Sequence, residues 1–250
     1  MLALGIGANA AIFSLVNAFL LKPLAIHKAY ELVGLYCRDT RKPDSYRAFS
    51  YPDFVDLRGQ GGVFTSLATH NLAMVGLTEG DTTRRLFADM VSSNYFDTMG
   101  VRLFRGRVFT AGEERPGGGI PVVIVSYSFW KRHGADAAML GRSLRLNGRL
   151  YTVVGITPEG FTGTTALISA ELYAPLGVYD ALVNDFESHG HALASRDTHS
   201  LIALARLRPG TTLAAADARL AVVAVAMRKA WPVENKDQTT RWYSWQRQPS

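Results

Sequence analysis

Cysteine is nearly absent: Cys37 is the sole thiol among 250 residues. No internal disulfide can form, and neither a disulfide scaffold nor a cysteine-rich zinc site is open to the chain. A strong charge of one sign is missing too, since 27 lysines and arginines face 21 acids for a net charge of +6. That excess is dispersed over groups such as Arg84-Arg85 and Arg102, Arg105 and Arg107. A nucleic-acid binder gathers its cations on one helix or stripe with aromatics between them, so no nucleic-acid partner is expected. Mild basicity suits a domain held close to anionic lipid headgroups. With 48% hydrophobic and 19% charged residues, wholesale disorder is excluded as well.

The motifs of common enzyme chemistry are also missing. Gly117–Gly119 does not fit the phosphate-loop pattern, and Pro116 and Pro121 on either side each withhold a backbone N–H from any phosphate cradle. No serine sits in a G-x-S-x-G elbow, and H-E-x-x-H does not occur. Ser126 follows an apolar run and opens a helical one, but without flanking glycines it reads as a helix cap. Of His27, His70, His133, His189, His191 and His199, the best metal candidates are His189 and His191 with Asp197 and His199. Zinc ligands converge from rigid elements with outer-shell support, whereas residues 184–200 read as an exposed polar loop. Asp53 with Asp56 is explained by helix-start charge, and Glu113 with Glu114 by loop solvation. The expectation is therefore no catalytic, no cofactor-binding and no metal-ligating residue, and no cofactor.

Present instead is a first segment, Met1–Leu21, without one charged side chain, ended by Lys22-Pro23. At ~1.5 Å per residue it spans roughly 30 Å, the thickness of a hydrocarbon core. Ala3, Gly7 and Ala11, and again Ala10, Ser14 and Ala18, recur every fourth residue, as on helices that approach closely in lipid. A cleaved signal peptide would have a basic start and a shorter core, and a buried soluble helix would have to be apolar all round. A transmembrane helix over 1–22 is the expectation, with the uncharged start implying that it is incomplete. No second apolar run is long enough to span a bilayer, so the rest is expected on one side of it.

The later chain alternates between strand and helix signals. Glu31–Cys37 reads as a strand, and Ser50 caps a helix opening Tyr51-Pro52-Asp53. Phe64–Leu77 and Arg84–Ser92 read as strands around a Glu79-Gly80-Asp81 turn, and Ser93–Met99 as a short helix stopped by Gly100. Glu113–Gly119 is expected to be a mobile loop. Pro121–Val125 reads as a buried strand, and Ser143–Ile156 as a hairpin turning at Asn147-Gly148, with Leu144, Leu146, Tyr151 and Val153 on one face. After a strand over Ser200–Leu207 and a turn at Pro209-Gly210, Thr212 caps a helix running to about Trp231. Its apolar face would comprise Leu213, Ala216, Leu220, Val223, Ala224, Met227 and Trp231. Strands interleaved with helices, one pair forming a hairpin, predict an α+β domain.

Six blocks in order resemble MacB/FtsX-like ABC transporter permeases: ALGIGANAAIFSLVNAFLLKPL from Ala3, SYPDF from Ser50, MVSSNYFDTMGVRLFRGRVFT from Met90, PVVIVSYSFWKRHGAD from Pro121, GRSLRLNGRLYTVVGITPEGF from Gly141 and ARLRPGTTLAAADARL from Ala205. The resemblance implies a two-lobed periplasmic core after one transmembrane helix: a porter-like α+β lobe over 24–90 and 196–235, an inserted mixed α/β sabre-like lobe over 91–195, and a polar tail over 236–250. It implies a chain seated in the cell inner membrane with its globular part in the periplasm. That part would transmit motion from a separate cytoplasmic ABC ATPase to periplasmic cargo, a lipoprotein or an adaptor protein, beside another permease copy as a dimer, without catalysis of its own. The family carries three further membrane helices after the core, and the sequence ends before any such segment, as a fragment would. The alternatives are a membrane-tethered binding or adaptor domain and, less favoured, a membrane-anchored hydrolase using the His189–His199 stretch.

Overall fold

The structure is a computed structural model that describes residues 29–42, 44–60, 62–164, 168–183 and 192–244. The apolar segment 1–22 and the metal candidates His189 and His191 lie outside the described residues. Among the described residues no helix is long and apolar enough to cross a membrane.

Strand β1 (Leu32–Asp39) leads to helix α1 (Tyr51–Gly59), where the Ser50 hydroxyl accepts from the Asp53 N–H at 3.2 Å. The hairpin of β2 (Phe64–Glu79) and β3 (Thr82–Val91) follows, then α2 (Tyr95–Met99), closed by Gly100 at φ 68°. Next come the two-residue β4 (Arg105–Gly106), α3 (Ala111–Glu114), β5 (Val122–Val125) and α4 (Tyr127–Arg132). Hairpin β6 (Ser143–Leu146) and β7 (Arg149–Ile156) precedes β8 (Leu172–Pro175) and α5 (Tyr179–Leu182). The chain returns through β9 (Ile202–Leu207), α6 (Leu213–Ala230) and β10 (Gln238–Ser244).

Among the described residues, ten strands join one sheet in the order β10-β1-β9-β2-β3-β8-β5-β7-β4, with β6 pairing both β7 and β2. That last pairing closes a ring of six strands, β2–β3–β8–β5–β7–β6 and back to β2. The remaining strands β9, β1 and β10 form an open antiparallel extension. β2 belongs to both parts. Its first half pairs β9 and its second half pairs β3. The two pairings overlap at His70, which faces Ile202 on one side and Val91 on the other.

Alternation along the strands sorts side chains into two cores. Val123 and Val125 face the first, Ile124 and Val122 the second. The first core runs from Phe54, Leu57, Leu220 and Val223 beneath α1 and α6 to Leu77, Leu146, Tyr151 and Val153 on the ring strands. The second is aromatic: Phe96 of α2 lies 5.3 Å from the Tyr173 ring and 5.8 Å from that of Phe161. The hairpin turn forms as its sequence demands, with Asn147 at φ 46° and Gly148 at φ 80°.

Asn147 also fastens the ring. Its Oδ1 accepts from the Gly76 N–H at 2.8 Å on β2, and its Nδ2 donates to the Leu182 carbonyl at 2.9 Å. Asn147→Gly keeps the left-handed turn and removes both bonds, so a loss of about 1–2 kcal/mol in urea unfolding is expected. An unchanged midpoint would mean that strand pairing alone closes the ring.

Three expectations need correction. Residues 111–114 are helical: the Thr110 hydroxyl accepts from the Glu113 N–H, the Glu113 carboxylate accepts from the Thr110 N–H, and Glu113 and Glu114 are buried rather than solvated. The glycines and proline that suggested a loop begin only after this turn. In the 184–200 stretch, residues 192–200 are tied down, Leu193 being fully buried with its N–H on Asp180 Oδ1 at 2.8 Å. The apolar face of α6 omits its two ends, since Leu213 is 46% and Trp231 40% exposed. Leu213 opens the helix, and Trp231 leaves the helical path at φ −133°. Beyond it, a polar stretch without strand alternation still forms β10, because β1 offers an open edge with seven paired positions.

Candidate functional site at the sheet crossing

The segment MVSSNYF, running out of β3 into α2, brings Ser92, Asn94 and Tyr95 to the crossing at His70. Ser92 exchanges bonds with Thr69: its N–H donates to the Thr69 carbonyl at 2.9 Å, and its hydroxyl accepts from the Thr69 N–H at 3.0 Å. Asn94 Nδ2 donates to the Leu67 carbonyl at 2.9 Å. A serine and an asparagine thus supply pairing that β2 loses where it changes partners.

His70 itself is buried. Its Nδ1 lies 2.9 Å from Asp89 Oδ1, and its Nε2 lies 3.1 Å from the Thr164 hydroxyl. The Tyr95 hydroxyl reaches the other Asp89 oxygen at 3.4 Å. Burial first, then the Asp89 charge, push the hydroxyls of Tyr95 and Tyr173 well above the usual phenol range. An aspartate, a histidine and a hydroxyl in line share the geometry of nucleophilic relays. Here the Thr164 hydroxyl is buried, and the groove of about 500 Å³ near Gly119, Arg149 and Asp180 is lined by other residues. The relay therefore braces the joint between β2, β3 and the segment before β8.

Two further clusters hold α1 to its surroundings. Glu114 Oε2 accepts from the Ser93 N–H at 2.8 Å and its hydroxyl at 2.5 Å, while Oε1 accepts from Arg58 Nη1 at 2.8 Å and the Tyr51 hydroxyl at 3.2 Å. Burial opposes charge on Glu114, but the Ser93 donors and Arg58 outweigh it and hold the carboxyl below its usual range. Burial and the Glu114 charge push the Tyr51 hydroxyl up to about 12.

On the other side of α1, Arg196 forks between Asp53 Oδ1 at 2.8 Å and Asp56 Oδ2 at 2.7 Å. Its guanidinium stacks 3.8 Å from the centroid of the Trp231 ring, whose Nε1–H donates to Asp56 at 3.1 Å. Asn235 Nδ2 donates to Asp53 at 3.2 Å, and Arg47 donates in turn to Asn235 Oδ1 at 3.0 Å. Asp53 and Asp56 thus do more than charge a helix start: they receive the returning chain.

Of the metal candidates in the sequence, His199 is half-buried beside this cluster, and burial, then Arg47, lower its pKa. Asp197 is exposed. Among the described residues no three histidines, cysteines or acids group as a metal site. Ser126 caps α4, accepting from the Phe129 N–H at 3.1 Å. His70, Asp89, Glu114 and Arg196 escaped sequence reasoning because their partners lie 19 to 143 residues away.

The family model described as MacB-like periplasmic core domain matches residues 1–223. The chain belongs to this family. No curated protein matches it. The periplasmic region of MacB from Actinobacillus actinomycetemcomitans is similar in structure, with a TM-score of 0.61 at 15% identity over 87% of this chain and 90% of that one. The extracellular domain of the noncanonic ABC-type transporter YknZ from Gram-positive bacteria follows at 0.57 and 15%, covering 84% and 99%. At these identities the structures share the fold, a mixed α/β MacB-like domain of ABC-type transporter permeases. Two of the blocks that resemble the family have visible tasks in this MacB-like domain: MVSSNYF supplies the stitch beside His70, and SYPDF supplies α1 and Asp53, which receives Arg196.

Proposed function

We propose that this MacB-like domain is the extracytoplasmic core of an ABC transporter permease that passes motion from a cytoplasmic ATPase to cargo, a lipoprotein or an adaptor outside the inner membrane. In this reading residues 1–22 anchor the chain in that membrane, a second permease copy stands beside it, and the core divides into a porter-like lobe over 24–90 and 196–235 and an inserted lobe over 91–195. The observation that carries it is the crossing at His70. One strand serves both parts of the sheet, and three polar clusters, each built on a buried carboxylate (Asp89, Glu114 or Asp53), tie down the elements near it. Motion delivered at one end is carried to the other by a joint of this kind without repacking a core, which is what mechanical transmission requires. Reaction chemistry has no part in such a task.

The topology is tested with a single cysteine. Cys37 is buried and its thiol is pushed up to about 11 by burial, so it stays silent toward maleimides. Ile120, 42% exposed beside the glycine loop, is replaced by cysteine. A membrane-impermeant maleimide should label it in intact spheroplasts. Labelling only after lysis would overturn the extracytoplasmic placement.

A further inference from the structure

Three aromatic rings form a cluster at the far end of the sheet. Phe104, Tyr127 and Trp130 lie pairwise 5.2–5.3 Å apart between ring centroids. Arg105 sits 5.3 Å from the Phe104 ring and 5.9 Å from that of Trp130, and Lys131 5.7 Å from Tyr127 and 5.9 Å from Trp130. Among the described residues these two cations form no ion pair, whereas Arg107 and Arg132 beside them are paired with Glu113 and Glu171. Arg105 and Lys131 thus converge, without an acid between them among the described residues, on one shared ring, that of Trp130. The placement suits a surface that awaits carboxylates.

We propose that this cluster docks an extended acidic segment of a partner protein. Relief favours a protein segment over a bilayer: Trp130 is 6% exposed and forms a floor, while Phe104 at 44% is the ring that projects. A membrane anchor thrusts its rings outward, and this surface receives a side chain. The backbone agrees. β4, which carries Arg105, ends the sheet with β7 as its one neighbour among the described residues, so an added strand finds an open edge. Carboxylates two or four residues apart in an extended chain, roughly 7 or 13 Å, span the footprint of two cations sharing one ring. An aliphatic side chain between them would rest on Phe104.

The inference rests on the reading above only in supposing a partner outside the inner membrane, and its test is independent of the labelling result. Full-length protein in neutral detergent is titrated against a fluorescein-labelled peptide of alternating glutamate and leucine. Binding in the micromolar range, weakening with salt, is expected. The double variant Arg105→Glu/Lys131→Glu should weaken it about tenfold or more, and Arg105→Gln/Lys131→Gln, which removes charge without reversing it, several-fold. Arg145→Glu/Arg149→Glu changes the net charge equally on an exposed hairpin elsewhere and should leave affinity within about twofold. Equal loss in the two reversal variants, or equal binding of the lysine-for-glutamate peptide, would overturn the proposal. So would displacement of the peptide by soluble dihexanoyl phosphatidylglycerol, which would make the surface a headgroup site.

Discussion

Arg196→Ala should destabilise the domain by about 3–5 kcal/mol, a fall of roughly 10 °C or more in melting temperature. Asp53 is fully buried and the Arg196 side chain only 14% exposed, so the variant strands a carboxylate whose remaining side-chain donor among the described residues is Asn235. The bond to Asp56 adds little, because that acid is 35% exposed and screened by water. Stacking on Trp231 is lost as well. The paired replacement Asp53→Asn/Arg196→Met removes both charges and should recover most of the loss. If the single variant melts within a degree or two of the parent, the returning chain is held by β9 and not by this network.

Glu114→Ala should cost about 2–3 kcal/mol, less than Arg196→Ala because Arg58 is 36% exposed and remains hydrated after the change. The Ser93 N–H and hydroxyl lose their acceptor, and α1 loses its tie to the segment after β3. The same carboxylate sets an acid limit. Its folded-state pKa lies below the ordinary 4.5, so its contribution is complete above pH 4.5 and fades as pH falls through the depressed value. His199 works in the same direction at milder acidity: its pKa is lowered from 6.5, so stability begins to decline once the unfolded chain protonates below that pH. Urea midpoints measured from pH 7.5 to 3.5 should therefore drop in two stages, and Glu114→Gln should flatten the lower one. A single drop unaffected by that substitution would assign the acid limit to other carboxylates.

The local elements were legible in the sequence wherever one short signal decides them. Ser50, Ser126 and Thr212 announce helices, and Asn147-Gly148 announces its hairpin, because caps and tight turns are settled within four residues. The ring was not legible. Its closure depends on Leu77 meeting Leu146 and on β5 lying between β7 and β8, pairings that no periodicity encodes. Carboxylate roles were hidden for the same reason. Glu113 and Glu114 look alike in the chain, yet one completes a capping box and the other gathers Ser93, Arg58 and Tyr51. The resemblance in ordered blocks reached the family, and the structure then gave two of those blocks work: MVSSNYF stitches the strand crossing, and SYPDF receives the returning chain through Asp53.

The length of β2 has a mechanical corollary. Its 16 residues reach about 50 Å, and each half is bonded to a different neighbour. A pull along this strand loads the bonds to β9 and to β3 in shear, all at once, instead of peeling them open singly. Closure of the ring denies any peeling front a free edge on the β3 side. The domain should thus be stiff along β2 and softer across it, where the open extension ends at β10. In single-molecule stretching the anisotropy would appear as a higher rupture force for handles at Phe64 and Ile202, which shear β2 against β9, than for handles at Asp39 and Gln238, which peel β10 from β1.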